Sequence, residues 1–286
     1  MSDVFDDTVC SLGEGPLWHP LREQFFWFDI DGKRLFTSHF GTTDMWQFDE
    51  NVSAAGWMDD RRLLMASETG LYVFTIETGT TELLVRIEAE QTATRSNDGR
   101  ADPWGGFWIG TMGKNAEPGL GAIYRYYQGA LTKLYVQMTI PNAICFSPDR
   151  RFAYFTDTAT KQVKRQALRA EDGMPDDFAE VWLDLSDEGL NPDGSVIDAD
   201  GNMWLAQWGA GCVACYDPDA QFLHAVEFPA RHTSCPAFGG PDLNTLYCTS
   251  AAIGVSQEQR LKEPTNGMTF AVKVNATGQA EHQVIL

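Results

Sequence analysis

Four polar residues, Glu14, Asn97, Asn142 and Asp193, recur at the same point of a repeat of roughly 40 to 50 residues, each just ahead of an apolar run. A circular fold built from that repeat brings them to one place, which is how oxygen ligands scattered along a sequence can make a single metal site. Taking Asn142, Asp193 and Cys235 as equivalent, Asp149, Asp200 and Asp242 share one offset, each in a turn: Ser-Pro-Asp-Arg, Asp-Ala-Asp-Gly and Gly-Pro-Asp-Leu. An aromatic or apolar group follows each turn. The same register recurs in Phe26-Trp27-Phe28, Leu63-Leu64-Met65, Phe107-Trp108-Ile109, Tyr154-Phe155, Met203-Trp204-Leu205 and Leu246-Tyr247-Cys248. Six units result, beginning near Gly13, Ser53, Arg95, Ile140, Leu190 and Thr233.

Within a unit, short runs rich in Val, Ile, Phe, Tyr and Trp alternate with Gly, Pro, Asn and Asp at spacings of about 8 to 12 residues, the mark of strand after strand. Ile123-Tyr124-Arg125-Tyr126 and Val213-Ala214-Cys215-Tyr216 read as third strands. Four short strands per unit is the pattern of a propeller blade, and six units fit the chain length. The expected fold is therefore all-β, a six-bladed β-propeller, with residues 1–286 as one domain. A sandwich or a parallel β-helix needs fewer strands or a much shorter repeat. No linker or change of composition divides the chain, and the acidic stretch from Arg169 to Asp177 reads as a strand connection inside the fourth unit.

The formal net charge of −19, with 21 Lys and Arg in all, argues against a nucleic-acid partner, because phosphate contacts need clustered cations. No apolar run approaches membrane-spanning length. The acidic start, Met1 to Asp7, lacks the apolar core of a secretory signal, so the expected location is cytoplasmic. Six irregularly spaced cysteines fit reduced cytosolic thiols better than a disulfide scaffold. Cys212 and Cys215 have the spacing of a redox or zinc pair, but they stand alone, and in an extended strand their side chains point to opposite faces. The five histidines form no recognisable triad, and no Gly-x-Ser-x-Gly occurs. His232, beside the last ring position, is a candidate for lining the channel.

In a propeller the innermost strands line the central channel, so equivalent positions at their starts ring its mouth. That ring reads Glu14, the Ser53 to Ala55 region, Asn97, Asn142, Asp193 and the Ser234 to Cys235 region. Two carboxylates and one or two amide oxygens facing one point suit a hard or borderline divalent cation. The competing reading is that Asn and Asp at strand starts serve as turn formers.

Several segments together carry a family resemblance: Gly13-Glu14-Gly15-Pro16-Leu17-Trp18, Arg95-Ser96-Asn97-Asp98-Gly99-Arg100-Ala101-Asp102, Trp108-Ile109-Gly110-Thr111-Met112, Pro141-Asn142-Ala143, Phe146-Ser147-Pro148-Asp149 and Asn191-Pro192-Asp193-Gly194. From about Gly13 to Ser250 the chain resembles the senescence marker protein, gluconolactonase and luciferin-regenerating enzyme family. The resemblance implies a six-bladed propeller that binds one divalent metal, calcium or zinc ahead of magnesium, manganese or ferrous iron, and hydrolyses a sugar lactone. It also implies Glu14, Asn142 and Asp193 as metal ligands, and Arg95, Asn97 and Glu117 as substrate-binding residues. Asp98 and Asp102 read as turn and scaffold residues. One departure is Ala143, where Gly commonly follows the ligand Asn; a positive φ there would carry a modest strain cost.

Asp193 is also the expected general base, since a carboxylate relays a proton and an amide cannot. Loops around Met112 to Leu120 and His232 to Cys235 are expected to read the lactone. Two alternatives stand beside this one: a metal-dependent hydrolase of other esters or phosphotriesters, and a calcium- or ligand-binding propeller without turnover. The expected partner is a small sugar lactone, with no nucleic acid or membrane, and the oligomeric state is open between monomer and weak dimer.

Overall fold

In the computed structural model of the protein, residues 2–39 and 41–286 are described. β1 (Asp3–Asp6) leads into the first blade, β2 (Gly13–His19), β3 (Gln24–Asp29), β4 (Arg34–His39) and β5 (Thr42–Gln47). The second blade is β6 (Val52–Trp57), β7 (Arg62–Ser67), β8 (Gly70–Thr75) and β9 (Thr80–Arg86). The third is β10 (Thr94–Ala101), β11 (Phe107–Gly113), β12 (Gly121–Tyr127) and β13 (Ala130–Met138). The fourth is β14 (Pro141–Phe146), β15 (Phe152–Asp157), β16 (Gln162–Ala167) and β17 (Glu180–Asp184). The fifth is β18 (Pro192–Ile197), β19 (Met203–Gln207), β20 (Cys212–Tyr216) and β21 (Phe222–Glu227), and the sixth contains β22 (Thr233–Gly239), β23 (Thr245–Ser250) and β24 (Thr269–Lys273). Each blade is a four-stranded antiparallel sheet, so the protein is the six-bladed β-propeller that the repeat predicts.

The second strand of each blade explains the aromatic signature. Successive side chains of a strand point to opposite faces, and both faces of a blade are covered by neighbouring blades. Phe25 and Trp27 accordingly pack toward the sixth blade with Trp18 and Tyr247, while Phe26 and Phe28 pack toward the second with Leu63 and Met65. Trp108 faces the fourth blade and its neighbours Phe107 and Ile109 the second. Trp204 faces the sixth and Met203 and Leu205 the fourth. Six such clusters fill the six blade interfaces, and each fully buried ring is worth about 1.5–3 kcal/mol.

The sequence units, counted from Gly13, leave the sixth blade one strand short. The structure supplies it from the other end of the chain: β1 pairs with β24, Asp3 opposite Ala271 and Val4 opposite Phe270. Beyond β24 the chain forms a strap across the end of the propeller opposite the ring residues. Ala199 N donates to Thr277 O (2.8 Å), Gly278 N to Leu243 O (2.7 Å), Val284 N to Trp57 O and Ile285 N to Gly105 O (both 2.9 Å). Gln279 Nε2 reaches the carbonyls of Phe146 and Ile197, and Gln283 Nε2 that of Met58. The strap thus touches blades two to six.

Every innermost strand carries a register shift near its start: between Glu14 and Leu17, Val52 and Ala54, Ser96 and Gly99, Asn142 and Cys145, Pro192 and Ser195, and Thr233 and Pro236. A bulge bends its strand and re-aims a side chain. Here all six fall at the ring position.

Candidate metal and substrate site

The ring residues Glu14, Asn97, Asn142 and Asp193 are all buried, 3–5% exposed, at the starts of four innermost strands. The flanking glycines make this possible. Gly15 has φ +53°, and a Cβ there would lie 2.2 Å from Ser53 O; a Cβ on Gly194 would lie 2.3 Å from Cys235 Sγ. Two aspartates, Asp29 buried and Asp157 half-buried, set the approach of their strands. Asp29 accepts from Ser11 N (3.1 Å) and Leu12 N (3.0 Å) ahead of Glu14, and Asp157 accepts from Thr139 N (2.8 Å) and Ile140 N (3.0 Å) ahead of Asn142.

A chain of hydrogen bonds crosses three blades at the mouth. Arg95 Nη1 donates to Asn97 Oδ1 (2.8 Å), Asn97 Nδ2 to Asn142 Oδ1 (2.8 Å) and to Pro141 O (3.0 Å), Asn142 Nδ2 to Thr158 Oγ1 (3.0 Å), and Thr158 Oγ1 to Pro192 O (2.7 Å). This fixes the Asn142 amide with its oxygen toward Asn97 and one lone pair to spare. Asn97 has both ends of its amide engaged, so it joins Arg95 to Asn142. At the other two ring positions the hydroxyls tie neighbouring strands together: Ser53 Oγ donates to Ser96 Oγ (2.8 Å) and Ser234 Oγ to Gly13 O (2.5 Å).

The charges are unusual for a buried place. Among the described residues the buried carboxylates in ion pairs are Asp29 with Arg34, Glu281 with Arg100 and Asp102 with Arg125; neither Glu14 nor Asp193 has such a partner. Burial pushes the Glu14 carboxyl above the usual carboxylate range, and the charge of Asp98 adds to it. Burial raises Asp193 likewise, reinforced by Glu14 and Asp98. Burial pulls the Arg95 guanidinium down against the opposing pull of Asp31, Glu14 and Asp193. Two buried carboxylates without an ion-pair partner and one oriented amide oxygen are donor types that suit a divalent cation, whose charge would offset the cost of burying them. Among the described residues no group of three or more His, Cys, Asp or Glu side chains could hold a metal, so a cation site built on Glu14 and Asp193 would need the amide as well.

Asp98 and Asp102 are scaffold residues. Asp98 Oδ2 accepts from Ile144 N (2.8 Å) inside a strand, and Asp102 pairs with Arg125 (2.6 Å) while Oδ1 accepts from Trp104 N and Gly106 N in a turn. Glu117 lies on the β11–β12 loop. That loop opens at the mouth end, because Gly113 pairs with Thr94 at the start of β10. The Glu117 carboxylate is held by its own loop, accepting from Asn115 Nδ2 (2.9 Å) and Asn115 N (3.1 Å), which keeps it below the usual range.

His232 stacks on Trp208, centroids 4.4 Å apart and planes 7° off parallel, while its Nδ1 meets Ile253 O at 3.0 Å. Trp208 follows β19, whose last residue Gln207 pairs with Pro192 beside Asp193. The sequence reading missed Trp208, Thr158, Asp29 and Asp157. A usable signal existed for the aspartates, since each directly ends the second strand of its blade. Cys212 is half-buried and Cys215 buried on β20, and all six thiols are free. A hollow of about 830 Å³ lined by Asp6, Thr8, Ser38, Thr43 and Lys273 lies along the outer strands, away from the mouth.

Ala143 adopts φ +57° in a fully buried position. Relief of about 1 kcal/mol of left-handed strain in Ala143→Gly is offset by the lost methyl burial, about 0.8 kcal/mol, and by the freer unfolded chain. Ala143→Gly is therefore expected to move Tm by no more than about 2–4 °C in thermal unfolding, while the β-branched Ala143→Val lowers it by more.

The sequence pattern of the SMP-30/gluconolactonase/LRE-like family matches residues 12–252. The chain belongs to that family. Within it, a Rhizobium meliloti (strain 1021) protein provisionally named a sugar lactone lactonase is 40% identical over 283 residues, 97% of this chain and 95% of that one. The pentonolactonase of Haloferax volcanii is 34% identical over 282 residues, 96% of this chain and 95% of its own. Among solved structures, a calcium-binding protein, regucalcin, from Agrobacterium tumefaciens C58 superposes with TM-score 0.98 at 38% identity, covering 100% of this chain and 98% of that one. Glu14, Asn142 and Asp193 stand on separate blades of this chain, at the starts of their innermost strands. Among the described residues no helix is long and apolar enough to cross a membrane.

Proposed function

We propose that this member of the family is a metal-dependent lactonase that hydrolyses a sugar lactone to its open-chain acid. The observation that carries the reading is the pair of buried carboxylates Glu14 and Asp193, which form no ion pair among the described residues, set with the oriented Asn142 amide beside the Arg95 guanidinium, which forms none there either. Names borne by the relatives, a sugar lactone lactonase and a pentonolactonase, support the substrate class, and the regucalcin named as calcium-binding supports a divalent ion.

Glu14, Asn142 and Asp193 would hold the cation; an all-oxygen set suits calcium by ligand type, and the family resemblance places zinc beside it. Bound there, a divalent cation supplies Lewis-acid polarisation of the lactone carbonyl. Asp193 takes a proton from the attacking water. A carboxylate can accept that proton, whereas the Asn142 amide beside it cannot. Arg95, with Nη1 anchored on Ser96 O (2.9 Å) and Asn97 Oδ1, presents the rest of its fork to the oxygens of the substrate. Asn97 keeps that fork in register with the Asn142 amide. Glu117 and the Trp208–His232 stack flank the mouth, where ring size and hydroxyl stereochemistry are read.

The test is acid release from a panel of aldono- and aldarolactones with calcium, zinc, magnesium or manganese added. Turnover on the order of 1–10³ s⁻¹ on at least one lactone is the expected result. Tight metal binding with no lactone opened would favour a non-catalytic binding propeller, and turnover confined to phosphotriesters would favour the other hydrolase class.

A further inference from the structure

Below the mouth, Arg100 is buried at 9% exposure and holds three strands at once. From β10 its Nε donates to Ile144 O (3.2 Å) on β14 and its Nη2 to Ser195 O (3.2 Å) on β18, while Nη1 pairs with Glu281 of the C-terminal strap. Ile144 and Ser195 occupy matching places, each two residues beyond a ring residue, Asn142 and Asp193, and each at a bulge. Asp98, also on β10, takes the remaining backbone group of Ile144, its N–H. Ser195 Oγ adds a bond to Ala143 O at 3.2 Å. Residue 143, between Asn142 and Ile144, is the one in left-handed conformation. A strained bulge persists only where its surroundings over-determine it, and these bonds do so here.

Resting on the metal-site reading above, we infer that Glu281 and Arg100 are positioning residues for that site: the C-terminal strap delivers Glu281 to Arg100, which fixes the bulges that aim Asn142 and Asp193. The carboxylate sets where the guanidinium fork points. Without it, a buried Arg100 is left beside Asp98, and turning toward that acid withdraws its donors from Ile144 and Ser195. The strap places Glu281 firmly, since Glu281 O accepts from Trp57 Nε1 at 2.8 Å and Val284 N bonds to Trp57 O. A residue 181 positions away in sequence from Arg100 thereby shapes the mouth from the opposite end of the channel.

The test is calorimetric titration of metal-free protein with calcium or zinc alone, together with Tm and steady-state kinetics at saturating metal. In Glu281→Gln the metal Kd is expected to weaken by about 10–100-fold, the usual range for removing a partner that orients ligands, with kcat reduced and KM little changed. Gln283→Ala removes a strap bond to Met58 O without touching Arg100, and is expected to lower Tm while leaving metal Kd at the wild-type value. Arg100→Lys keeps the charge but loses the fork, and is expected to follow Glu281→Gln; should it fail to fold, Glu281→Gln decides. A Glu281→Gln Kd within about twofold of wild type, or an equal loss in Gln283→Ala, overturns the inference, because losing a partner that orients metal ligands exceeds that margin and a merely structural role would not distinguish the two variants. Wild-type protein that binds no metal sinks the metal-site reading and this inference together; wild-type binding unaffected by Glu281→Gln sinks this inference alone.

Discussion

Asp193→Asn is expected to lower kcat by about 10²–10⁴ while the protein folds normally, the usual scale for losing a general base. The amide matches the carboxylate in shape and keeps an oxygen for the cation, but it takes no proton from water. Glu14, the other carboxylate of the ring, accepts from Gly15 N (3.0 Å) as Asp193 does from Gly194, and the family resemblance gives it the role of ligand alone. Glu14→Gln is therefore expected to act mainly through metal affinity, with kcat recovering as metal is raised, whereas added metal does not rescue Asp193→Asn. Burial gives a second signature. Burial that raises the proton affinity of a carboxyl costs the metal-free fold energy at any pH above its unfolded value, so Asp193→Asn without metal is expected to be more stable than wild type at neutral pH by on the order of 1 kcal/mol, a Tm rise of about 2–4 °C. A folded Asp193→Asn enzyme with full activity on a lactone would remove Asp193 from the role of base.

The six units were legible in the sequence because the second strand of every blade is sandwiched between two others. That leaves a continuous aromatic run such as Phe25 to Phe28, where a half-exposed strand would alternate with polar residues. The ring was legible for a related reason: a bulge at the same place in each inner strand selects Gly, Asn, Asp and Ser there, which stand out against the apolar run that follows. The left-handed conformation at Ala143 was foreseen as a possibility from the residue that commonly fills that place, and the structure has it. The closing strand was harder. Asp3 to Asp6 is short, acidic and largely exposed, with no alternation to mark it, and it counts as a strand only because β24 offers a free edge. Asn97 shows another limit. Its place in the ring was plain, but that both ends of its amide are consumed by Arg95, Pro141 and Asn142 depends on side-chain geometry across two blades. Glu281 carried no signal at all, because its partner is brought near only when the ring has closed and the strap has crossed beneath it.

Exhaustive chelation is expected to abolish lactone turnover, and calcium or zinc to restore it. The thermal consequence follows from linkage: an ion that binds only the folded chain, at about 100 times its Kd, adds about 2.7 kcal/mol, a Tm rise of about 5–10 °C for a chain of this size. The increment is expected to shrink in Glu14→Gln, Asn142→Ala and Asp193→Asn, and to persist in Glu117→Gln, whose carboxylate is held within its own loop. Which ion gives the larger shift is decided by the donor set. Zinc gains its advantage from thiolate and imidazole ligands. The Cys235 thiol is buried, with Sγ packed against Gly194 and directed to Pro236 O at 3.8 Å. His232 is turned to Trp208 and to Ile253 O. With oxygen donors alone, calcium loses nothing to zinc in ligand type, and the contest rests on how closely Glu14, Asn142 and Asp193 can draw together. Inner strands locked by glycine contacts at Gly15 and Gly194 resist contraction, which favours the larger ion at equal concentration. Turnover that survives complete metal removal, with Tm indifferent to added ions, would leave the two buried carboxylates without their counter-charge and defeat the metal-dependent mechanism.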